Sequence, residues 1–138
     1  MEGLRVDGIE ELHFENADKI TKEVFETWAA PKIRKITFVG SGIWPEILQS
    51  IQSKCPGVST IRLTSMNTQL VKCDPFAQLL EIVVSQSKVH SETIDALAGA
   101  QSEILFLSEC EIDAETLDYV SDWRYNHEFS RTSIRIVD

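Results

Sequence analysis

The sequence has little of what marks a secreted, membrane or metal-binding chain. Its 138 residues include only three cysteines, four prolines and six glycines. An odd number of widely spaced cysteines predicts reduced thiols, which favours an intracellular protein, cytoplasmic or nuclear. No run of about 18 apolar residues occurs, so we expect no membrane helix. The first residues also lack the basic and apolar regions of a secretory signal.

Basic residues are scarce as well. Thirteen Lys and Arg stand against 22 Asp and Glu, a formal net charge of −9, which counts against a nucleic-acid partner. The net charge is −5 over residues 1–30, +2 over 31–102 and −6 over 103–138. A hydrophobic content of 43% is that of an ordinary globular domain. We therefore expect one domain over 1–138 whose mildly basic middle suits an acidic partner segment.

An internal repeat organises the chain. Its clearest copy places apolar or small residues at offsets 0, 2, 5, 7, 12 and 15, namely Leu105, Leu107, Cys110, Ile112, Leu117 and Val120. Four other copies begin with Leu12, Ile36, Ile61 and Ile82, and a half copy holds Ile134 and Ile136. The repeats thus begin near residues 9, 33, 58, 79 and 102, and the final half repeat spans 131–138.

Each repeat predicts a strand followed by a helix. The alternating pair at offsets 0 and 2 is typical of a strand with one buried face, and offsets 12 and 15 share one face of a helix. A tight turn between them points its small or thiol residue inward. Thr21, Ser91 and Asp113 are the predicted helix N-caps. Neither element can form a core alone, so we expect the repeats to stack.

This pattern resembles the leucine-rich repeat family, in the ribonuclease-inhibitor-like and F-box-associated subtype. The resemblance covers residues 9–137 and is degenerate, because the turn residue typical of the family occurs only as Cys110. It implies an α/β solenoid of about five β-α repeats, with a parallel sheet on the concave face and helices on the convex face. An open parallel α/β sheet, such as a STAS-like domain, is the alternative fold.

The sequence contains few motifs typical of nucleotide-binding, metal-binding or catalytic sites. Gly40-Ser41-Gly42 follows a predicted strand, but Pro45 occupies the third glycine position of a dinucleotide motif and no phosphate-loop lysine follows. His13, His90 and His127 lie far apart, and no paired Cys or His motif of a zinc site occurs. We therefore predict a chain that is not an enzyme, without cofactor, metal or small-molecule substrate.

The outward positions of the strands form columns across the predicted sheet. The middle column contains His13, Thr37, Arg62, Val83, Phe106 and Arg135, and the column before it includes Lys35 and Ile104. Outward apolar residues at Val83, Ile104 and Phe106 would be costly unless something covers them. The predicted partner-binding residues are Lys35, Arg62, Val83, Ile104, Phe106 and Arg135.

These features predict a module that binds a protein partner through its concave strand face. The resemblance to F-box-associated repeats implies a substrate-recognition or adaptor role in a ubiquitin-ligase-type complex. One alternative is an assembly factor or structural subunit of a fixed complex. Another is a STAS-like domain whose binding depends on phosphorylation of Ser41 or Ser87.

Overall fold

A computed structural model describes residues 10–15, 33–40, 46–66, 71, 74–76, 78–127 and 132–137, and the following statements concern these residues. The predicted N-cap Thr21 and the repeat positions Ser41, Ile43 and Cys73 lie outside them. The strands are β1 (Glu11–Glu15), β2 (Lys35–Val39), β3 (Thr60–Thr64), β4 (Glu81–Ser85), β5 (Lys88–Val89), β6 (Ile104–Ser108), β7 (Glu111–Ile112) and β8 (Ser133–Val137). The helices are α1 (Ile47–Lys54), α2 (Ser91–Ala98) and α3 (Ala114–Asn126).

Six of the strands form one parallel sheet in the order β1-β2-β3-β4-β6-β8, which is their order along the chain. The predicted α/β class with a parallel sheet is therefore confirmed. Each strand pairs in the register that the repeat predicts, as when Ile61 lies opposite Ile82 and Val84 opposite Leu107. This register matters because a shift by one residue would turn every core side chain to the other face.

One face of the sheet and the helices share a single hydrophobic core. The strand positions at offsets 0 and 2 are almost fully buried from β2 to β6, as in Ile36, Phe38 and Leu105. Buried residues of α1 and α2 join the same cluster, including Leu48, Ile51, Ile94 and Leu97. The helices therefore cover this face. The opposite face of the six-stranded sheet is called the outer face below.

A further buried position precedes β2, β3, β4 and β6. Ile33, Val58 and Leu79 lie three residues before the offset-0 residue of their repeats and have no exposed surface. The corresponding residue of the next repeat is Ser102, which is also fully buried and donates its hydroxyl hydrogen to the carbonyl of Ile104 at 3.0 Å. The spacing of these apolar residues was visible in the sequence, but it was not part of the predicted template.

Two of the predicted N-caps can be compared with the helices. Asp113 caps α3, since its carboxylate accepts a hydrogen bond from Thr116 N at 2.8 Å. That bond lowers the pKa of Asp113. The prediction for Ser91 was wrong by one residue: the N-cap of α2 is His90, which forms a capping box with Thr93. The backbone of His90 is extended there, and the helix begins at Ser91.

The helix of the clearest repeat is rotated relative to the prediction. Val120 is buried as expected, but Leu117 is 44% exposed. The buried face of α3 contains Thr116, Val120 and Trp123, which are spaced by four and three residues. Leu117 lies 100° around the helix from Thr116 and therefore points away from the buried face. Packing of the large Trp123 ring against the core accounts for this rotation. Trp123 also stacks on His127 with a 4.4 Å centroid distance.

Two local structures differ from a simple strand-turn-helix unit. Residues 74–76 and 78–80 are irregular, yet Phe76 is buried and its N–H donates to Ala100 O at 3.0 Å. Gln52 of α1 anchors this segment by donating to Pro75 O at 2.6 Å. The second difference is a small parallel sheet formed by β5 and β7, which pairs the offset-7 residues Val89 and Ile112.

The turns after successive strands repeat the same backbone conformation. Gly40, Ser65, Gln86 and Glu109 each follow the last residue of a strand and have φ values between 51° and 113°. Each of these residues donates its backbone N–H to the last residue of the next strand, for example Gln86 N to Ser108 O at 3.2 Å. A positive φ is unfavourable for residues with a Cβ. Its recurrence in register shows that the stacking of the turns imposes it.

Candidate functional site

The outer face presents the columns that the sequence predicts. Strand pairing aligns His13, Thr37, Arg62, Val83, Phe106 and Arg135 as neighbours on consecutive strands. In this column Thr37, Val83 and Phe106 are half-buried, whereas His13, Arg62 and Arg135 are exposed. Parallel sheets are usually covered on both faces. Among the described elements, all helices lie on the core face, so the outer face has no helical cover.

An apolar patch occupies the middle of this face and contains Val83, Ile104 and Phe106. Val83 lies opposite Phe106 in the register of β4 and β6, and Ile104 is two residues before Phe106 on the same strand. All three side chains are half-buried. The structure therefore brings together the three apolar residues that the sequence singled out.

Cationic side chains border the apolar patch. Arg62 on β3 pairs with Val83, and Arg135 on β8 pairs with Phe106, so the arginines flank the patch from opposite sides. Lys35 is half-buried and lies farther away, on β2. Within the described part of the chain, none of these three cations forms an ion pair; the ion pairs present join His13 to Glu15 and Arg34 to Glu10.

Acidic groups on the outer face are concentrated at one edge. Glu11 and Glu15 are exposed on β1, and His13 lies between them with its Nε2 3.4 Å from a Glu15 carboxylate oxygen. Glu81 is the acidic residue nearest the apolar patch and lies opposite Ile104. The outer face from β2 to β8 therefore carries three cations and one anion, in a chain whose net charge is −9.

A row of hydroxyl groups follows the apolar patch along the strands. Thr64, Ser85 and Ser108 end β3, β4 and β6 and lie side by side. The hydroxyls of Thr64 and Ser85 are hydrogen-bonded at 3.0 Å. Beyond them, the turns line an open depression of about 520 Å³ that includes Gln86, Lys88 and Glu109. Sequence reasoning missed this row as a feature, although Thr64, Ser85 and Ser108 share one template position.

The inward turn residues form a second ladder beside the core. Ser87 is buried, accepts a hydrogen bond from Met66 N at 2.8 Å and donates to Ser85 O at 2.9 Å. Cys110 occupies the same position one repeat later and contacts the carbonyls of Val84 and Ser108 through its Sγ. The prediction that a small or thiol residue points inward at this turn is confirmed for these two repeats. Burial of the Ser87 hydroxyl makes it a poor acceptor of a phosphoryl group.

The two described thiols are not activated nucleophiles. Burial raises the pKa of Cys55 to about 11, and it also raises the pKa of Cys110, against the opposing effect of backbone hydrogen bonds from Ser87 and Ser108. A thiol with a raised pKa is a poor nucleophile at neutral pH. The histidines occur on separate elements: His13 on β1, His90 at the start of α2 and His127 at the end of α3.

The topology of the sheet also bears on ligand binding. Open α/β sheets usually bind ligands in a crevice where the strand order reverses. In the six-stranded sheet of the described residues, the strand order follows the chain without such a reversal. No group of three or more His, Cys, Asp or Glu in the described ranges is arranged to hold a metal ion.

No helix of the described ranges is long and apolar enough to cross a bilayer.

Comparison with known proteins gives no relative for this chain: no family model, curated protein or solved structure matches it.

Proposed function

We propose that this chain is a non-enzymatic protein-interaction module whose outer face binds a protein partner. The single observation that carries the proposal is the apolar patch of Val83, Ile104 and Phe106. It lies between two arginines that form no ion pair with the described residues, on a face that no described helix covers. Contiguous apolar surface of this kind is characteristic of interaction sites. Large apolar and arginine side chains are also the residues that most often carry binding energy in interfaces.

We further propose that the fold is a leucine-rich-repeat solenoid. Three observations support this assignment. The six strands of the sheet are stacked in chain order, equivalent repeat positions pair across every interface, and the turns after β2, β3, β4 and β6 repeat a positive φ. In such a solenoid the outer face is the strand face used for binding. A STAS-like sheet is less well supported, because doubly wound sheets reverse their strand order to place helices on both faces.

Within this proposal, a substrate-recognition or adaptor role in a ubiquitin-ligase-type complex follows from resemblance to F-box-associated repeats. The second candidate is an assembly factor or structural subunit that uses the same face. Affinity purification followed by mass spectrometry separates the two roles. Recovery of a ligase adaptor subunit supports the first role, whereas constitutive recovery of one fixed complex without ligase subunits supports the second.

The central test is the substitution Phe106→Asp. Phe106 points away from the core, so we expect this variant to fold and to lose the partner that the wild-type chain captures in affinity purification. The His13→Asp variant introduces the same charge in the same column on β1 and should retain the partner. Leu107→Asp, at a fully buried neighbour, should unfold the chain.

Circular dichroism melts decide whether the comparison is valid. Global unfolding of Phe106→Asp would show that Phe106 supports the core and would overturn its assignment to the outer face. A folded Phe106→Asp variant that still captures the wild-type partner would overturn the proposed function.

A further inference from the structure

The last four residues of the middle column have a symmetrical arrangement. Arg62, Val83, Phe106 and Arg135 lie on the consecutive strands β3, β4, β6 and β8. The two arginine side chains are exposed, and neither forms an ion pair with another described residue. From one strand to the next, the column is therefore cationic, apolar, apolar and cationic, and both arginine side chains are exposed.

The charge around this column favours an acidic ligand over a basic one. Glu81 precedes Val83 by two residues on β4 and lies opposite Ile104. It is therefore in the column before the one that contains Arg62 and Arg135. Lys35 adds a third cation on the Arg62 side of the patch. Acidic side chains on a ligand would meet complementary charge at both ends of the apolar pair, which is the usual source of specificity at such surfaces.

The distance between the arginines restricts the shape of the ligand. Adjacent strands lie about 4.8 Å apart, so three strand spacings place the backbones of Arg62 and Arg135 about 14 Å apart. An extended peptide advances about 3.3 Å per residue, and four residues cover about 13 Å. A helix rises only about 6 Å over four residues and would need about nine to reach both arginines.

We propose that the outer face binds an extended segment that crosses the strands and carries an acidic residue, an apolar residue and an acidic residue at alternate positions. Side chains at alternate positions of an extended chain point to the same side. The two carboxylates would then pair with Arg62 and Arg135, and the apolar side chain would cover Val83 and Phe106. This inference rests on the proposed function and names the partner's chemistry.

The hydroxyl row supports an extended backbone at this position. Thr64, Ser85 and Ser108 form the next outward column, because each follows the middle-column residue of its strand by two positions. An extended segment has backbone N–H and C=O groups that form no hydrogen bonds of their own and need partners when covered. Hydroxyl groups can donate or accept, so this row can satisfy backbone groups of either polarity.

The test uses a display library of random peptides selected on the folded wild-type chain, with the folded Phe106→Asp variant as counterselection. We expect selected peptides to share acidic residues four positions apart with an apolar residue midway. In fluorescence anisotropy titrations, moving the apolar residue by one position should weaken binding about tenfold, because its side chain would then point away from the apolar patch. Absence of selected peptides, or selection of a pattern without this spacing, overturns the proposal.

A charge exchange tests the two arginines directly. The double variant Arg62→Glu/Arg135→Glu should lose the selected peptide and bind a version in which lysines replace the two acidic residues. The matched control Lys88→Glu changes an exposed cation outside the column and should leave binding unchanged. Loss of binding without rescue by the lysine peptide would contradict the pairing of these arginines with the ligand.

The two proposals fail in different ways. If binding of the selected peptides depends on Phe106 but not on Arg62 or Arg135, the proposed spacing of the acidic residues is overturned. The proposal that the outer face binds a protein partner is then unaffected. A partner that binds the folded Phe106→Asp variant as well as wild type would overturn the module itself.

Discussion

At the scale of single residues, the most informative positions are those that follow the strands. Gln86 and Glu109 have positive φ values of 51° and 54°, although neither is glycine or asparagine. Conformations of this kind cost about 1–3 kcal/mol and persist only where the surroundings impose them. Here the stacked turns impose them, since the backbone N–H of each residue is bonded to the next strand.

Gln86 offers a direct test of this turn. We expect Gln86→Val to lower the free energy of unfolding by about 1 kcal/mol or more, because a β-branched residue at positive φ is especially unfavourable. Gln86→Asn should be neutral or slightly stabilising, since asparagine tolerates this region. Urea denaturation measures both changes.

Lys88→Val is the matched control for this comparison. Lys88 is exposed, lies two residues further on in strand β5 and is replaced by a residue that favours strands. Equal destabilisation by Val at positions 86 and 88 would contradict the view that the backbone conformation of Gln86 causes the effect.

At the scale of the elements, the same repeat position has opposite environments in two helices. Ile94 in α2 and Leu117 in α3 both occupy offset 12, yet Ile94 is fully buried and Leu117 is 44% exposed. The apolar residues of α2 satisfy the predicted stripe, whereas α3 turns Thr116 and Trp123 inward. A hydrogen bond joins the two helices: Tyr119 of α3 donates its hydroxyl hydrogen to the carboxylate of Asp95 in α2.

Alanine substitutions at this position should differ accordingly. Ile94→Ala should lower the free energy of unfolding by about 2–5 kcal/mol, because it leaves a cavity in the core. Leu117→Ala should change it by no more than about 0.5 kcal/mol, as is usual for exposed positions. Thermal or urea denaturation of the pair provides the measurement, and a large loss in Leu117→Ala would refute the observed rotation of α3.

At the scale of the whole molecule, stacking makes each repeat depend on its neighbours. The inward residues of the central strands β3 and β4 are at most 2% exposed, whereas Leu12 and Phe14 of β1 are half-buried. Phe14 stacks on Phe38 of β2 with a 5.2 Å centroid distance. In the solenoid that we propose, stability is approximately a sum of repeat and interface contributions.

Hydrogen exchange followed by mass spectrometry should therefore show a gradient across the sheet. We expect amides of β3, β4 and β6 to exchange most slowly and those of β1 to exchange faster, because local opening requires less buried surface at the edge. As a check, Leu12→Ala should accelerate exchange in β1 while leaving β4 nearly unchanged. Uniform protection of all six strands would contradict this prediction.

Much of the fold was predictable because strand period and repeat spacing are local properties of the sequence. The alternating residues defined the six strands of the sheet and which side chains share a column, so Val83, Ile104 and Phe106 could be placed together beforehand. The helix N-cap Asp113 was predictable for the same reason, since capping requires one side chain and the next few residues. The small β5–β7 sheet was not, because two-residue strands leave no periodicity to detect.

The sequence by itself determined which strand residues face outward, because a period of two permits only one buried face, and the repeat template predicted the register of the sheet. Only the tertiary structure decided the rotation of α3, the cap at His90 and the irregular segment before Leu79. In each of these cases several local arrangements satisfy the same sequence pattern. Packing against neighbouring repeats selected among them, as in α3, where Trp123 is buried and Leu117 is exposed.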